Sequence, residues 1–291
     1  EVTEKVTEEV TEEVTEEVTE EVTEEVQTKN VINELEDPKL CHKKLFEEYI
    51  GFMTINYNDL TNKYVEKYFG ERKKELFDYA GGSGGFIDVF CFPFVRGRIF
   101  DYIESDVGQY NDQREIFWAS GCAFITRKDL FLKISFDTQL FAYMEEIDYS
   151  WKSILLGYKN LIEPKSIVYH SGGTLNTRSF LKSYFNHRNS MILFLTNHNT
   201  LIMLLLLIPK LFLEIVSLLR YLLLLNIKAF FAQLCSYIWI LSHPIYIIKR
   251  IRNINQIKIH LLYSILNKMY KSSIVFNYFI LRKKKYSELI N

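Results

Sequence analysis

The chain has 291 residues, room for one sizeable domain with an appendage or for two small ones, and its formal net charge is only −1. That near-neutrality hides an asymmetry: residues 1–26 hold twelve Glu and one Lys, whereas residues 199–291 hold thirteen Lys or Arg against Glu214 and Glu288. Basic charge interleaved with long Leu and Ile runs suits an anionic membrane surface and argues against nucleic acid as a partner.

Residues 1–26 repeat the tetrapeptide E-V-T-E, with Val every fourth position. On a helix a period of four drifts by roughly 40° per repeat, so the Val stripe leaves any one partner quickly. Glu flanked by Glu at i,i+4 and the weak helix formers Val and Thr predict a solvated, low-complexity tail, disordered or marginally helical. An acidic interaction arm is the alternative. The absence of an apolar h-region predicts no signal peptide and a cytoplasmic setting for any catalytic part. Residues 27–75 are charged, Tyr-rich and weakly periodic, and read as helical or irregular connecting sequence. The four cysteines, Cys41, Cys91, Cys122 and Cys235, show no CxxC or Cys/His spacing and read as free thiols in a reducing compartment.

From residue 76 the texture changes. Four glycines between 81 and 85, set among aromatics, signal tight loops with close backbone approach, but they lack the G-x-G-x-x-G spacing of a dinucleotide site. "EIFWASGCAFITRKDL" predicts a strand over 116–126 and a short helix over 127–133. In "EEIDYSWKSILLG", Ile147, Trp151, Ile154 and Leu155 form one apolar helix face, and Gly157 ends the helix. "KNLIEPKSIVYHSGG" predicts short strands with a turn at Pro164, and "RSFLKSYFNHRNSMILFLTN" a further helix. The alternation over 76–198 argues α/β, too short for a full doubly wound sheet.

Residues 199–291 are dominated by Leu and Ile. Residues 200–208 are uncharged but too few to span a bilayer, and Lys210, Glu214, Arg220 and Lys228 fall within an arc of about 120°, the layout of a helix lying in the membrane interface. Residues 229–248 are uncharged and long enough to span, yet Gln233, Ser236, Ser242, His243 and Pro244 interrupt them. They read as in-plane or re-entrant, with spanning as the alternative.

The stretch "FAYMEEIDYSW" sets Glu145, Glu146 and Asp148 between aromatics. A helix start accounts for acids there through the helix dipole, worth about 0.3–1 kcal/mol each. Glu145 and Asp148 share a face, while Glu146 points about 100° away, so the three do not act as one cluster.

Taken together, "FDYAGGSGGFIDVFCFPFVRGRIFD", "GQYNDQREIFWASGCAFITRKDLF", "FDTQLFAYMEEIDYSWK" and "IEPKSIVYHSGGTL" resemble family 2 glycosyltransferases, in particular the rhamnosyltransferase-like enzymes of bacterial cell-envelope polysaccharide synthesis. The resemblance covers about residues 76–200 and continues more loosely to "SIVFNYFILRKKKYSEL". It implies a GT-A fold and an inverting transfer of sugar from a nucleotide-sugar donor to a glycan or lipid-linked acceptor at the cytoplasmic face of the cell membrane. The family's acidic pair falls on Glu145-Glu146, with Glu in place of the usual Asp. The resemblance assigns the base to Glu146, with Glu145 as second candidate, and leaves Asp148 to orient or pair at the helix start. His170 matches a position that helps hold a divalent metal, Mn²⁺ or Mg²⁺, at the donor diphosphate. Trp118 matches an aromatic beside the acceptor, with a core Trp as the alternative. Arg96 and Arg98 are candidates for phosphate or an anionic lipid carrier, and equally for surface charges.

The family's donor-side half and its Asp-x-Asp metal motif are not recognisable, and no D-x-D occurs in the sequence. The expectation is an acceptor-side half of a partial GT-A domain over 76–198, followed by membrane-associated helices: a fragment, a degenerate product or one piece of a split protein. Such a chain alone is expected to bind nucleotide-sugar weakly or not at all. The alternative from another class is a catalytically silent, membrane-associated scaffold.

Overall fold

The computed structural model describes residues 76–77, 82–167, 180–257 and 265–289, all within the unit Phe69–Asn291. The readings of 1–26 and 27–75, and His170, lie outside the described residues. The described chain is mixed α/β, with small antiparallel sheets and helices.

The glycine-rich segment opens a four-stranded meander: β1 (Gly85–Ile87), β2 (Pro93–Val95), β3 (Arg98–Ile99) and β4 (Tyr102–Ile103), paired in chain order. Strands this short need tight turns. Gly97 makes one of them at φ 92°, and a Cβ there would overlap the Phe77 ring. Asp88 organises the β1–β2 turn, its Oδ1 accepting from the amides of Phe90 at 3.0 Å and Phe92 at 2.8 Å. Its Oδ2 accepts from the amide of Ile274 at 2.9 Å. Asp88 is fully buried, and burial, partly offset by these amides, raises its carboxyl to about 7.

β5 (Arg114–Ile116) pairs antiparallel with β6 (Asn160–Ile162), Ile116 opposite Asn160. Everything between them, including α1 (Lys128–Ile134) and α2 (Glu145–Leu155), leaves one strand and returns beside it. This corrects the expectation of an incomplete doubly wound sheet: every named strand pair is antiparallel, because hairpin turns join β1–β4 and β6 runs back along β5. The strand expected over 116–126 is also corrected. It ends at Ile116 with a single further bridge at Trp118, and Ala119–Cys122 turns away, the Ala123 amide donating to the Ser120 carbonyl at 3.3 Å. Exposed Ile125 confirms that no buried alternation continues there.

The apolar face of α2 is as the spacing predicts: Ile147, Trp151, Ile154 and Leu155 are all buried, each contributing about 1.5–3 kcal/mol. Trp151 meets Phe117 edge-on at 5.3 Å. Gly157 leaves the helix at φ 88°. Met191, Ile192, Leu193 and Phe194 of α3 (Phe180–Asn197) complete this core.

Beyond α3, Lys210 and Glu214 lie where the interfacial-helix reading does not put them. α4 (Thr200–Leu223) is one continuous helix through Pro209, capped by Asn199, whose side chain accepts from the Leu201 amide at 2.8 Å. It is long and apolar enough to cross a membrane. Lys210 and Glu214 face inward, fully buried, and pair at 2.8 Å. Glu214 also accepts from Gln233 at 2.9 Å and from the Tyr237 hydroxyl at 2.6 Å. Leu205, Ile208, Phe212 and Leu223 face outward. Lys210 and Glu214 therefore make helix–helix contacts instead of meeting water, while Arg220 and Lys228, the other two charges of the stripe, are exposed. α5 (Ile227–Ser242) and α6 (Pro244–Ile257) meet at a 76° bend at His243–Pro244, where Pro244 opens the second helix. The chain closes with α7 (Ile274–Phe279), its N-cap Ser273 accepting from the Phe276 amide.

Candidate functional site

The acidic segment enters α2 through strained backbone. Phe141, Tyr143 and Met144 have φ of 59°, 65° and 70°, left-handed values that cost a residue with a side chain about 1–2 kcal/mol each. Such conformations persist only where neighbours over-determine them. Here Asn189 of α3 does so: its Nδ2 donates to the carbonyls of Leu140 at 2.9 Å, Ala142 at 2.9 Å and Tyr143 at 2.6 Å. Arg188 adds bonds to the carbonyls of Gln139 and Leu140.

This clamp fixes where α2 starts and so where its first turn points. Met144 offers no side-chain cap, and Glu145 and Glu146 follow it at the exposed helix dipole. Their carboxyls hydrogen-bond each other and amides of the first turn. One oxygen of each, Oε2, is enclosed without a hydrogen-bond partner among the described residues. Unsatisfied buried acceptors are uncommon in native structures, and two on adjacent residues mark this place. Burial, then the neighbouring charge of Glu145, raises Glu146 to about 8; burial also raises Glu145. Two carboxyls at such close quarters favour holding one proton between them.

Gly121 faces the pair. A Cβ at Gly121 would lie 3.6 Å from the Glu146 Cβ and 4.0 Å from the Glu145 Oε1, so the Ser120–Cys122 turn forms the opposite wall without filling it. A carboxylate pair in this setting can take a proton from a hydroxyl brought to the unsatisfied oxygens.

The other expected site residues are placed differently. Asp148 is fully buried on the inner side of α2. Asn197 donates to it at 2.8 Å, Lys152 pairs with it at 3.0 Å, and Arg250 of α6 completes the set. Burial raises its carboxyl, but Arg250, Lys152 and Asn197 outweigh burial and hold it below the usual range. Asp148 therefore ties α2 to α3 and α6, pairing within the fold as expected for it at the helix start. Of the two readings open for Trp118, the core one is observed: it is buried, its indole N–H donates to the Phe86 carbonyl at 2.8 Å, and its ring lies against Gly85. Arg96 is not a surface charge, and its guanidinium is engaged within the fold. It is fully buried and donates to the Ser83 carbonyl and to Asp112, both at 2.7 Å. Arg98 is half-buried and bonds the Phe100 carbonyl at 3.1 Å.

Asn189 and Arg250 went unrecognised in the sequence. The run Arg188-Asn189-Ser190, three polar residues entering an apolar helix, was the available signal for the first; nothing local distinguishes Arg250 from the basic residues around it. Among the described residues no three His, Cys, Asp or Glu gather to hold a metal. Comparison with known protein families, with characterised proteins and with solved structures finds no match to this chain.

Proposed function

We propose that this chain takes part in inverting glycosyl transfer at the cytoplasmic face of a membrane, with Glu146 as the base and a GT-A-like domain carrying it. The observation behind this reading is the Glu145–Glu146 pair: two enclosed, unsatisfied carboxyl oxygens, with Glu146 raised to about 8, close to the pH at which a general base works best. The acceptor hydroxyl oxygen attacks the anomeric carbon, and its proton passes to a Glu146 oxygen. The bond from that carbon to the nucleotide diphosphate breaks, and the diphosphate leaves with the electron pair. Glu145 shares the proton and keeps Glu146 a strong base. Among the described residues no three His, Cys, Asp or Glu gather to hold Mn²⁺ or Mg²⁺, and His170, the candidate ligand, lies outside them. The outward Leu, Ile and Phe of α4 support membrane residence, which brings a lipid-linked acceptor within reach.

The test is release of UDP or dTDP from nucleotide-sugars by the full chain in lipid nanodiscs with Mn²⁺ and a lipid-linked glycan acceptor. Release that Glu146→Gln abolishes supports the assignment; release unchanged by Glu146→Gln moves the base elsewhere.

A second reading, a silent membrane-associated scaffold, is favoured by one observation: Arg96, Trp118 and Asp148 are all engaged in internal contacts. It predicts no nucleotide release even when a donor-binding half is supplied in trans; release under those conditions would refute it.

A further inference from the structure

A cleft of about 900 Å³ opens between α1, α2 and α6, at the opposite end of α2 from the glutamates. Four cations line it: Lys133, Lys152, Lys249 and Arg250. Two of them are neutralised. Lys152 pairs with Asp148 and donates to the Ser135 carbonyl at 2.9 Å, and Arg250 pairs with Asp137 and Asp148. Those two carboxylates are thereby used, Asp137 also accepting from Tyr246 at 2.9 Å. Lys133, in the last turn of α1, and Lys249, on α6, are exposed and have no carboxylate partner among the described residues. The cleft therefore carries two uncompensated positive charges over a floor that includes Ile134, Leu155 and Ile257.

We infer that this cleft is a subsite for the phosphate of an anionic phospholipid, its head between Lys133 and Lys249 and its apolar part along the floor. A bare anion would use the lysines alone, whereas an amphiphile uses both surfaces. The position of α6 favours the lipid. It follows the 76° bend after α5, and it exposes Ile245 and Ile248 beside Lys249 and Arg252, the mixed character of a helix at headgroup level. The inference rests on the membrane reading above, and adds a headgroup preference to it.

The experiment is co-flotation of the full chain with vesicles of phosphatidylcholine alone and with phosphatidylcholine and phosphatidylglycerol mixed at about three to one. The chain should bind both and prefer the mixed vesicles. The exposed pair Lys133→Ala, Lys249→Ala should weaken binding to the mixed vesicles by about 25-fold, about fivefold for each lysine, and leave binding to phosphatidylcholine unchanged. Lys159→Ala, Lys165→Ala, exposed lysines outside the cleft, should leave the preference in place. An equal loss in that control pair, or a preference that survives the cleft variant, overturns the subsite. Glycerol phosphate that abolishes the preference at millimolar concentration reassigns the cleft to free phosphates and overturns the lipid. Equal binding to both vesicles refutes the subsite alone; flotation with neither refutes the membrane reading and the subsite together.

Discussion

Arg250 of α6 donates to the Asp148 carboxylate of α2, two residues beyond Glu146, so one buried ion pair couples the helix of the candidate base to the helix that follows the 76° bend. Removing one partner leaves the other charge buried, which costs about 3–5 kcal/mol. Arg250→Met should lower Tm by more than about 6 °C, and adding Asp148→Asn should recover part of the loss. Because Asp148 is held below the ordinary carboxylate range, its contribution is present above the unfolded value of about 3.9 and is lost as pH falls through the folded one. Thermal melts across acid pH, flat below 3.9 in both proteins, would contradict this.

Glu146 titrates with the opposite sign. Above about 4.3 the unfolded side chain has released its proton. Folded Glu146 keeps its proton until about 8, so stability declines as pH rises through that window. Glu146→Gln stays neutral and should show a shallower fall in Tm between about pH 5 and 8 than the parent, the remaining slope coming from Asp88 and Glu145, and should melt above the parent at the upper end by about 2–4 °C per kcal/mol. A parent whose Tm rises over the same range refutes the assignment.

Under the proposed transfer, Glu146→Gln should lower turnover by about 10²–10⁴. The parent rate should rise with pH through about 8, because the ionised form is the base. Glu145→Gln removes a neighbouring charge and should shift that rising limb to lower pH. A limb that stays fixed would remove Glu145 from the pair.

Asn189 is expected to matter beyond its own bonds. Asn189→Ala leaves the carbonyls of Leu140, Ala142 and Tyr143 without their shared donor, a loss of about 1–3 kcal/mol. Asn189→Asp cannot donate and should behave alike. Both should lower Tm and turnover together; a variant with lower Tm and full turnover would separate the clamp from the site.

Gly85 lies under the Trp118 indole, and a Cβ there would overlap the ring. Gly85→Ala should cost about 1–3 kcal/mol and red-shift tryptophan emission as the indole is displaced. Unchanged emission and stability would contradict the packing.

On α4, Ile208 is 79% exposed. Ile208→Glu places a carboxylate on the outer face, and should weaken partition into phosphatidylcholine vesicles by about 100-fold if that face meets lipid. Unchanged partition would remove α4 from the membrane.

Legibility in the sequence followed the reach of each signal. The 3.6-residue spacing of Ile147, Trp151, Ile154 and Leu155 and the stop at Gly157 gave α2 almost to the residue, because both are local. The charges of α4 were equally visible as a stripe. Spacing gives a stripe no outside and inside, however, and only Gln233 and Tyr237 on α5 reveal that its Lys210–Glu214 part turns inward while Arg220 stays exposed. The two glutamates were visible as neighbours in sequence, but helix spacing set them about 100° apart, so their mutual hydrogen bond was not legible. Nor was the enclosure of the pair, since that depends on Gly121 and Asn189, distant in sequence. Arg96 and Trp118 misled because a charge or an aromatic in a loop-rich region looks available until its buried partners are seen.

The Asp88 turn sets an order on the making of the molecule. Its carboxylate takes an amide from Ile274, 186 residues further on, so the turn that begins the described sheet lacks this bond until residue 274 has been synthesised. At about 5–20 residues per second that interval is roughly 10–40 s. Throughout it the segment through α6 emerges first, so α2 to α6 have time to pack before Ile274 completes the Asp88 turn.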